Sequence, residues 1–258
     1  MKNVLIISLL FFLLTQIHYP QWVHVGPPFT IWSLAASGSN VFAGTQFDGL
    51  YCSTDNGQSW TKTLMYNYSI WSIAANGPNI FAGTTAGVFH STDDGQTWTP
   101  SLNAGTTWSI AIDGSNIFAG TDDGVFHSID NGQTWTLTSL NNYRVFSLAV
   151  SGPNIFAGTF FGVIRSTNSG QTWMQTTLDS VEVGPVAANG SNVMAGTEYG
   201  LYYSLDNGET WSNTNELPYQ INCLIINGFE AFGGSIGVYL STNNGQSWIN
   251  KSQGLPAE

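Results

Sequence analysis

An eight-residue phrase ending in tryptophan is written six times in this chain, at residues 53–60, 91–98, 128–135, 166–173, 204–211 and 241–248. Its third copy reads Ser128-Ile129-Asp130-Asn131-Gly132-Gln133-Thr134-Trp135, and the closing tryptophans stand 38, 37, 38, 38 and 37 residues apart. So steady a period means stacked copies of one supersecondary unit, none of which can bury its apolar face alone. Between the phrases run short apolar pieces rich in Val, Ile, Phe and Trp, separated by Gly, Asn, Asp and Ser. These are strand and turn signals, and no window carries the three-and-four spacing of a helix. In the second copy the pattern predicts strands at 71–75, 79–84, 87–92 and 97–102. Four short strands in roughly 38 residues fit one blade of an all-β propeller, whose repeats run about 40–50 residues.

The octapeptide falls on the hairpin joining the third and fourth strands. Its glycine supplies the positive φ that a tight turn demands. Asp55, Asp93, Asp130 and Asp206 can accept backbone N–H bonds across the turn. The closing Trp60, Trp98, Trp135, Trp173, Trp211 and Trp248 bring large apolar bodies suited to the seams between blades. Asn168 and Asn243 stand at the Asp position in two copies. An amide still accepts from backbone donors, so the turn survives there, while a role needing charge in every copy does not. This phrase resembles the Asp-box, or bacterial neuraminidase repeat, of sialidases, large xyloglucan-degrading hydrolases, sortilin-type receptors and photosystem II assembly-factor-like propellers. The resemblance covers about residues 30–250 and implies a β-propeller of four-stranded antiparallel blades.

Met1-Lys2-Asn3 precedes an uncharged apolar run at 4–14. That is short of the ~20 residues a spanning helix needs and fits the core of a secretory signal. Residues 1–20 therefore read as a signal peptide without a clear cleavage site, and 21–258 as one propeller domain. The expected location is secreted, periplasmic or at the cell surface, with no stable membrane insertion once the signal is removed. The segment around Trp22 resembles the end of a repeat, and the tail around Gly254 resembles a linker to another blade. Six blades are favoured over an incomplete seven-bladed ring. Charge is sparse and acidic: 16 Asp and Glu against 5 Lys and Arg, net −11. So few cations cannot track a phosphate backbone, which argues against nucleic acid, and an acidic membrane surface would repel the chain. Export permits a disulfide. Yet Cys52 and Cys223 belong to different strand positions in the first and last blades, and a bridge needs Cα atoms within about 7 Å. Two unbridged thiols are expected.

A meander alternates its connections between the two ends of a blade. The octapeptide turns share one face with the Gly-Pro-Asn and Gly-Ser-Asn turns. The loops between second and third strands, and between blades, share the other. Comparing the copies with one another puts the non-repeating residues on that second face: Phe47, Asp48, Asp122, Asp123, Phe160, Phe161, Glu198 and Tyr199 in the former loops, and Tyr66, Tyr68, Tyr143, Arg144, Glu182 and Tyr219 in the latter. Binding residues concentrate on loops held by a rigid scaffold. Tyr and Phe beside carboxylates make a surface for sugars or a peptide, or they simply shield the blade ends. Trp32, Trp71, Trp108 and Phe146 share one repeat position, where blades five and six have Gly184 and Asn222. They read as core packing in preference to an aromatic ring at the channel mouth. His90 and His127 also share a position, but sheets pack about 10 Å apart, and two ligands of one zinc lie within about 4 Å. Each octapeptide turn offers too few carboxylates for a tight calcium loop. No metal and no cofactor are expected.

The resemblance suggests sialidase, and arithmetic opposes it. Sialidases are similar to one another in gripping the substrate carboxylate with three arginines, and this chain has two, Arg144 and Arg165. Lysine lacks the planar fork that would replace them. A glycoside hydrolase stays open as the alternative, using two of Asp48, Asp122, Asp123, Glu182 and Glu198 at about 5–5.5 Å or about 6.5–9.5 Å separation. The preferred reading is an exported, monomeric, non-catalytic propeller that binds a glycan or a protein or peptide ligand.

Overall fold

The computed structural model describes residues 30–253 apart from 215, 218 and 219. The expected signal, the strand expected around Trp22, the tail from 254 and Tyr219 lie outside the described residues. Six four-stranded antiparallel sheets, each hydrogen-bonded in chain order, stand in a ring as a six-bladed β-propeller. The second blade runs Ile70–Asn76, Asn79–Thr84, Gly87–Ser91 and Thr99–Leu102, so sequence and structure differ only at strand ends. The first strand of each blade is the innermost, and the innermost strands of blades one to six pack on one another in succession.

The core follows from the second strand, whose repeating Asn-Ile-Phe-Ala-Gly-Thr is almost wholly buried. Phe42, Phe81, Phe118 and Phe156 have at most 1% exposure and form the layer between successive sheets. Glycine in this strand permits close approach: a Cβ at Gly83 would lie 2.9 Å from the Thr107 carbonyl of the next innermost strand. The octapeptide turns of blades two to five then cap the phenylalanine of the preceding blade, and that of blade six caps Met194. At Gly132 (φ +78°) an added Cβ would meet Phe81 Cε1 at 2.6 Å. Trp98, Trp135, Trp173, Trp211 and Trp248 lie half-buried against apolar clusters shared with the blade before, as expected of seam residues. The Trp135 indole N–H crosses the seam to the Ser101 hydroxyl at 2.9 Å.

The turn chemistry is a repeating circuit. In the third copy Ser128 Oγ donates to Asp130 Oδ1 (2.8 Å) and accepts from Gly132 N (2.8 Å). Thr134 N donates to the same Oδ1 and its hydroxyl to Oδ2. These bonds hold Asp55, Asp93, Asp130 and Asp206 at a pKa of about 2. At Asn168 the backbone bond from Thr172 N persists at 2.9 Å, and the amide reverses the second bond by donating to Thr172 Oγ1. Asn243 does the same with Ser247. The residue before each glycine is also left-handed: Asn56, Asp94, Asn131, Ser169, Asn207 and Asn244 have φ of 54–60°.

A second repeating device joins the innermost strands. Ser33, Ser72, Ser109 and Ser147 each accept a hydrogen bond from the next blade, from Ile73 N, Ile110 N, Leu148 N and Val186 N, at 2.7–3.0 Å. Pro185 occupies the same position in blade five and has no hydroxyl to offer. Cys52 and Cys223 are thiols and not bridged.

Candidate binding face

The two faces separate as the meander requires. Octapeptide turns bond to the first-to-second turns of their own blades, as in Asn131 N to the Ser115 carbonyl. The second-to-third turns bond instead to the inter-blade connections: Asn142 N donates to the Asp123 carbonyl (2.8 Å) and Asp122 N to that of Thr106 (3.3 Å). The threonine ending the second strand of blades one to five clamps these short turns. Thr121 Oγ1 donates to the Gly124 carbonyl and accepts from Asp123 N, so the Asp122–Asp123 pair is held rigidly. Thr159 does the same for Phe160 and Phe161.

Blades three and four bring several of the expected residues together. Arg144 Nε donates to Asp122 Oδ1 at 2.6 Å, and the Trp108 indole donates to the same oxygen at 2.9 Å. The Arg144 guanidinium carbon lies 5.6 Å from the Trp108 ring centroid and 5.8 Å from that of Phe160. Those distances are within the range of a cation–π contact. Phe160 stands edge-on to Phe146 at 4.7 Å, and Tyr143 edge-on to Phe161 at 6.0 Å.

The reading of Trp32, Trp71, Trp108 and Phe146 as core packing is corrected by the structure. They form a continuous aromatic arc at the innermost strands, with successive ring centroids 5.2, 4.9 and 6.3 Å apart. Trp32 is 38% exposed and the other three are half-buried. The physical reason is a β-bulge. Ile70 pairs with Thr84 and Ser72 with Gly83, which leaves Trp71 the extra residue, and Trp32, Trp108 and Phe146 are bulged in the same register. A bulge breaks the two-residue alternation and re-aims its side chain. Trp71 Nε1 is buried and has no acceptor among the described residues. At Gly184, the same repeat position, an added Cβ would meet nothing nearer than the Gly196 carbonyl at 3.9 Å, so the arc stops at blade four.

The other expected residues remain scattered. Phe47, Tyr66 and Tyr199 are 81%, 52% and 61% exposed. Tyr68 packs its ring on Phe89 at 4.7 Å. Asp123 and Glu182 are exposed. Asp48 accepts from Lys62 Nζ and from Tyr51, and both bonds push its pKa down. Burial, helped by Asp48, pushes Tyr51 up to about 12. Tyr199 is raised by its hydrogen bond to Glu198. Arg165 lies 9% exposed in a third strand, bonded to the Asn207 carbonyl and Glu209 of the next blade, and so is separate from Arg144. His90 and His127 stack on Phe81 and Phe118 at 4.1 and 4.2 Å, and burial lowers both pKa values. A cavity of about 440 Å³ lies away from the arc, between the outer strands of blade one and the octapeptide turn of blade two, with Asp94 the carboxylate in its lining.

Residues 51–62, 89–100 and 202–213 match the BNR/Asp-box repeat, and the chain carries these repeats on a propeller. No curated protein matches the chain. Among solved structures it is similar to YCF48 bound to D1 peptide, with 19% identity and a TM-score of 0.71, covering 93% of this chain and 89% of that one. It is also similar to a GH74 xyloglucanase from Xanthomonas campestris (15%, TM-score 0.70, 87% of this chain and 48% of that one). The extracellular domain of BT4673 from B. thetaiotaomicron matches at 15% identity and TM-score 0.69, over 85% of this chain and 33% of that one. At these identities the likeness is one of fold. The chain spans about half the xyloglucanase and a third of the BT4673 domain. No helix among the described residues is long and apolar enough to cross a membrane.

Proposed function

We propose that this chain is an exported, non-catalytic propeller that works as a monomer and binds a glycan or a peptide through its variable-loop face. The observation that carries the reading is the bulged aromatic arc of Trp32, Trp71, Trp108 and Phe146, continued outward by Phe160 and fixed by the Arg144–Asp122 pair. Aromatic surface held rigidly and punctuated by a few convergent polar groups is the usual make-up of a recognition site. Similarity to a propeller solved with a peptide, and to a xyloglucanase, supports these two ligand classes. The apolar run at 4–14 and the likeness to an extracellular domain support export.

A glycoside hydrolase has less behind it. Asp48 and Asp122 are each engaged by a cation. The Asp48 carboxyl is pushed down by its bonds to Lys62 and Tyr51, whereas a general acid needs its pKa raised. The test is a glycan and peptide array on the mature protein, with reducing-sugar release assayed on every hit. Binding lost in Trp108→Ala, with no sugar released, is expected. Hydrolysis abolished by Asp122→Asn or Glu198→Gln would overturn the reading in favour of the enzyme.

A further inference from the structure

The loop-face reading leaves the ligand class open between sugar and peptide, and the arc's own chemistry narrows it. One end of the arc already holds a cation. The Arg144 guanidinium lies over Trp108 and Phe160, with Asp122 as its counter-ion at 2.6 Å. The other end repeats the aromatic surface without one. Trp32 and Trp71 meet edge-to-face at 5.2 Å and 81°, and among the described residues no Lys or Arg of the chain lies against either ring.

Charge on this face points the same way. Lys62 and Arg144 are consumed by Asp48 and Asp122 and Lys251 stands exposed at blade six, while Asp123 and Glu182 are exposed and enter no ion pair among the described residues. The whole chain carries a net charge of −11. An anionic sugar or acidic peptide is repelled by such a field, a neutral glycan gains nothing from it, and a cationic segment is drawn in. A guanidinium or ammonium over an indole gains further from the ring quadrupole. Trp71 Nε1, buried and without an acceptor among the described residues, adds a second demand. A segment that parts Trp32 from Trp71 can hand it a backbone carbonyl, which a lone ammonium ion lacks.

We infer that the Trp32–Trp71 end of the arc is a docking site for a basic peptide segment, with an Arg or Lys side chain against the two indoles, at the opposite end from the internal guanidinium of Arg144. This rests on the loop-face binding reading. The experiment titrates the full mature chain, by calorimetry and tryptophan fluorescence, with a capped Gly-Arg-Gly-Arg-Gly peptide. Parallel titrations use its citrulline isostere, its Glu counterpart and a neutral cello-oligosaccharide. The Arg peptide is expected to bind, to weaken as salt rises, and to exceed the citrulline peptide by about tenfold, the scale of one desolvated cation–π contact. Trp32→Ala should cost a similar factor. Phe229→Ala, an exposed aromatic beside an octapeptide turn, should cost nothing. Trp32→Leu serves if the alanine variant loses its far-UV spectrum. Equal binding of Arg and citrulline peptides would overturn the inference. Sugar binding that Trp32→Ala abolishes, without peptide binding, would overturn it and leave the loop-face reading standing. Absence of any ligand in both this titration and the array would remove both.

Discussion

The third-strand position that faces the next blade carries Cys52, His90, His127 and Arg165 in blades one to four. In blades two and three the imidazole lies nearly parallel to a core phenylalanine, at 13° and 14°, and bonds through Nε2 to Asn79 Oδ1 (3.1 Å) and Asn116 Oδ1 (3.0 Å). Blade one keeps the other partners: Phe42 pairs with Cys52, and Asn40 stands at the asparagine position. Only the ring is missing, and the fourth strand there is two residues long against four in blade two and six in blade three. The consequence is the cavity of about 440 Å³, lined by Asn40, Cys52, Asp94, Gly95 and Gln96 among others. Cys52→His should therefore restore the motif. An aromatic stack contributes about 0.5–1.5 kcal/mol beyond burial, and the bond to Asn40 about 1 kcal/mol. Ordering the longer side chain and losing the half-buried thiol offset roughly half of that sum. A net gain of about 1 kcal/mol raises Tm by roughly 2–4 °C in a domain of this size. Calorimetry at pH 8, where the imidazole is neutral, measures it, with Cys52→Ala as the control expected to lower Tm. A Cys52→His variant that melts at or below the parent would refute the argument that the cavity is a vacant ring site.

Three further outcomes follow from the same geometry. The Asp-box aspartates titrate near 2 in the folded chain, below the ordinary value of about 3.9. Their contribution is therefore complete above about pH 4 and is lost as pH falls toward 2; Asp130→Asn should keep its turn and flatten that part of an acid-unfolding curve. Gly132→Ala should cost roughly 2–4 kcal/mol in urea unfolding, because it adds a left-handed penalty to a 2.6 Å clash with Phe81. Gly38→Ala, at φ +60° with nothing within 4 Å, should cost only about 1 kcal/mol. Ser109→Ala strips the Leu148 amide of its acceptor and should cost about 1–3 kcal/mol, a loss visible as faster hydrogen exchange at that amide.

The blade architecture was legible because the sequence repeats it. Six aligned copies turn weak strand signals into a strong one, and the octapeptide states its turn by residue type. The seam role of Trp98 and its counterparts was legible for the same reason. The arc was not. Trp71 sits in a strand whose letters mark only a short apolar piece, and the extra residue that makes the bulge shows only when the partner strand is laid beside it. Topology alone put the second-to-third turns beside the inter-blade connections, as the Asn142–Asp123 and Asp122–Thr106 bonds have it. Which loop residues meet was beyond reach: Arg144 and Asp122 converge across a seam between blades, while Phe47 and Tyr199 stand apart.

The serine hydroxyls of the innermost strands have a mechanical corollary. Seams one to four each tie a backbone amide across the gap through a serine hydroxyl, and the fifth, at Pro185, lacks that tie and keeps apolar contact with an amide bond, Asn192 Nδ2 to Asn244 Oδ1 at 3.3 Å. In an array whose cohesion is the sum of neighbour interfaces, the poorest junction decides where fracture starts. Blade six should accordingly peel away before its siblings part, so that fragmentation by heat, force or protease proceeds from one predetermined place.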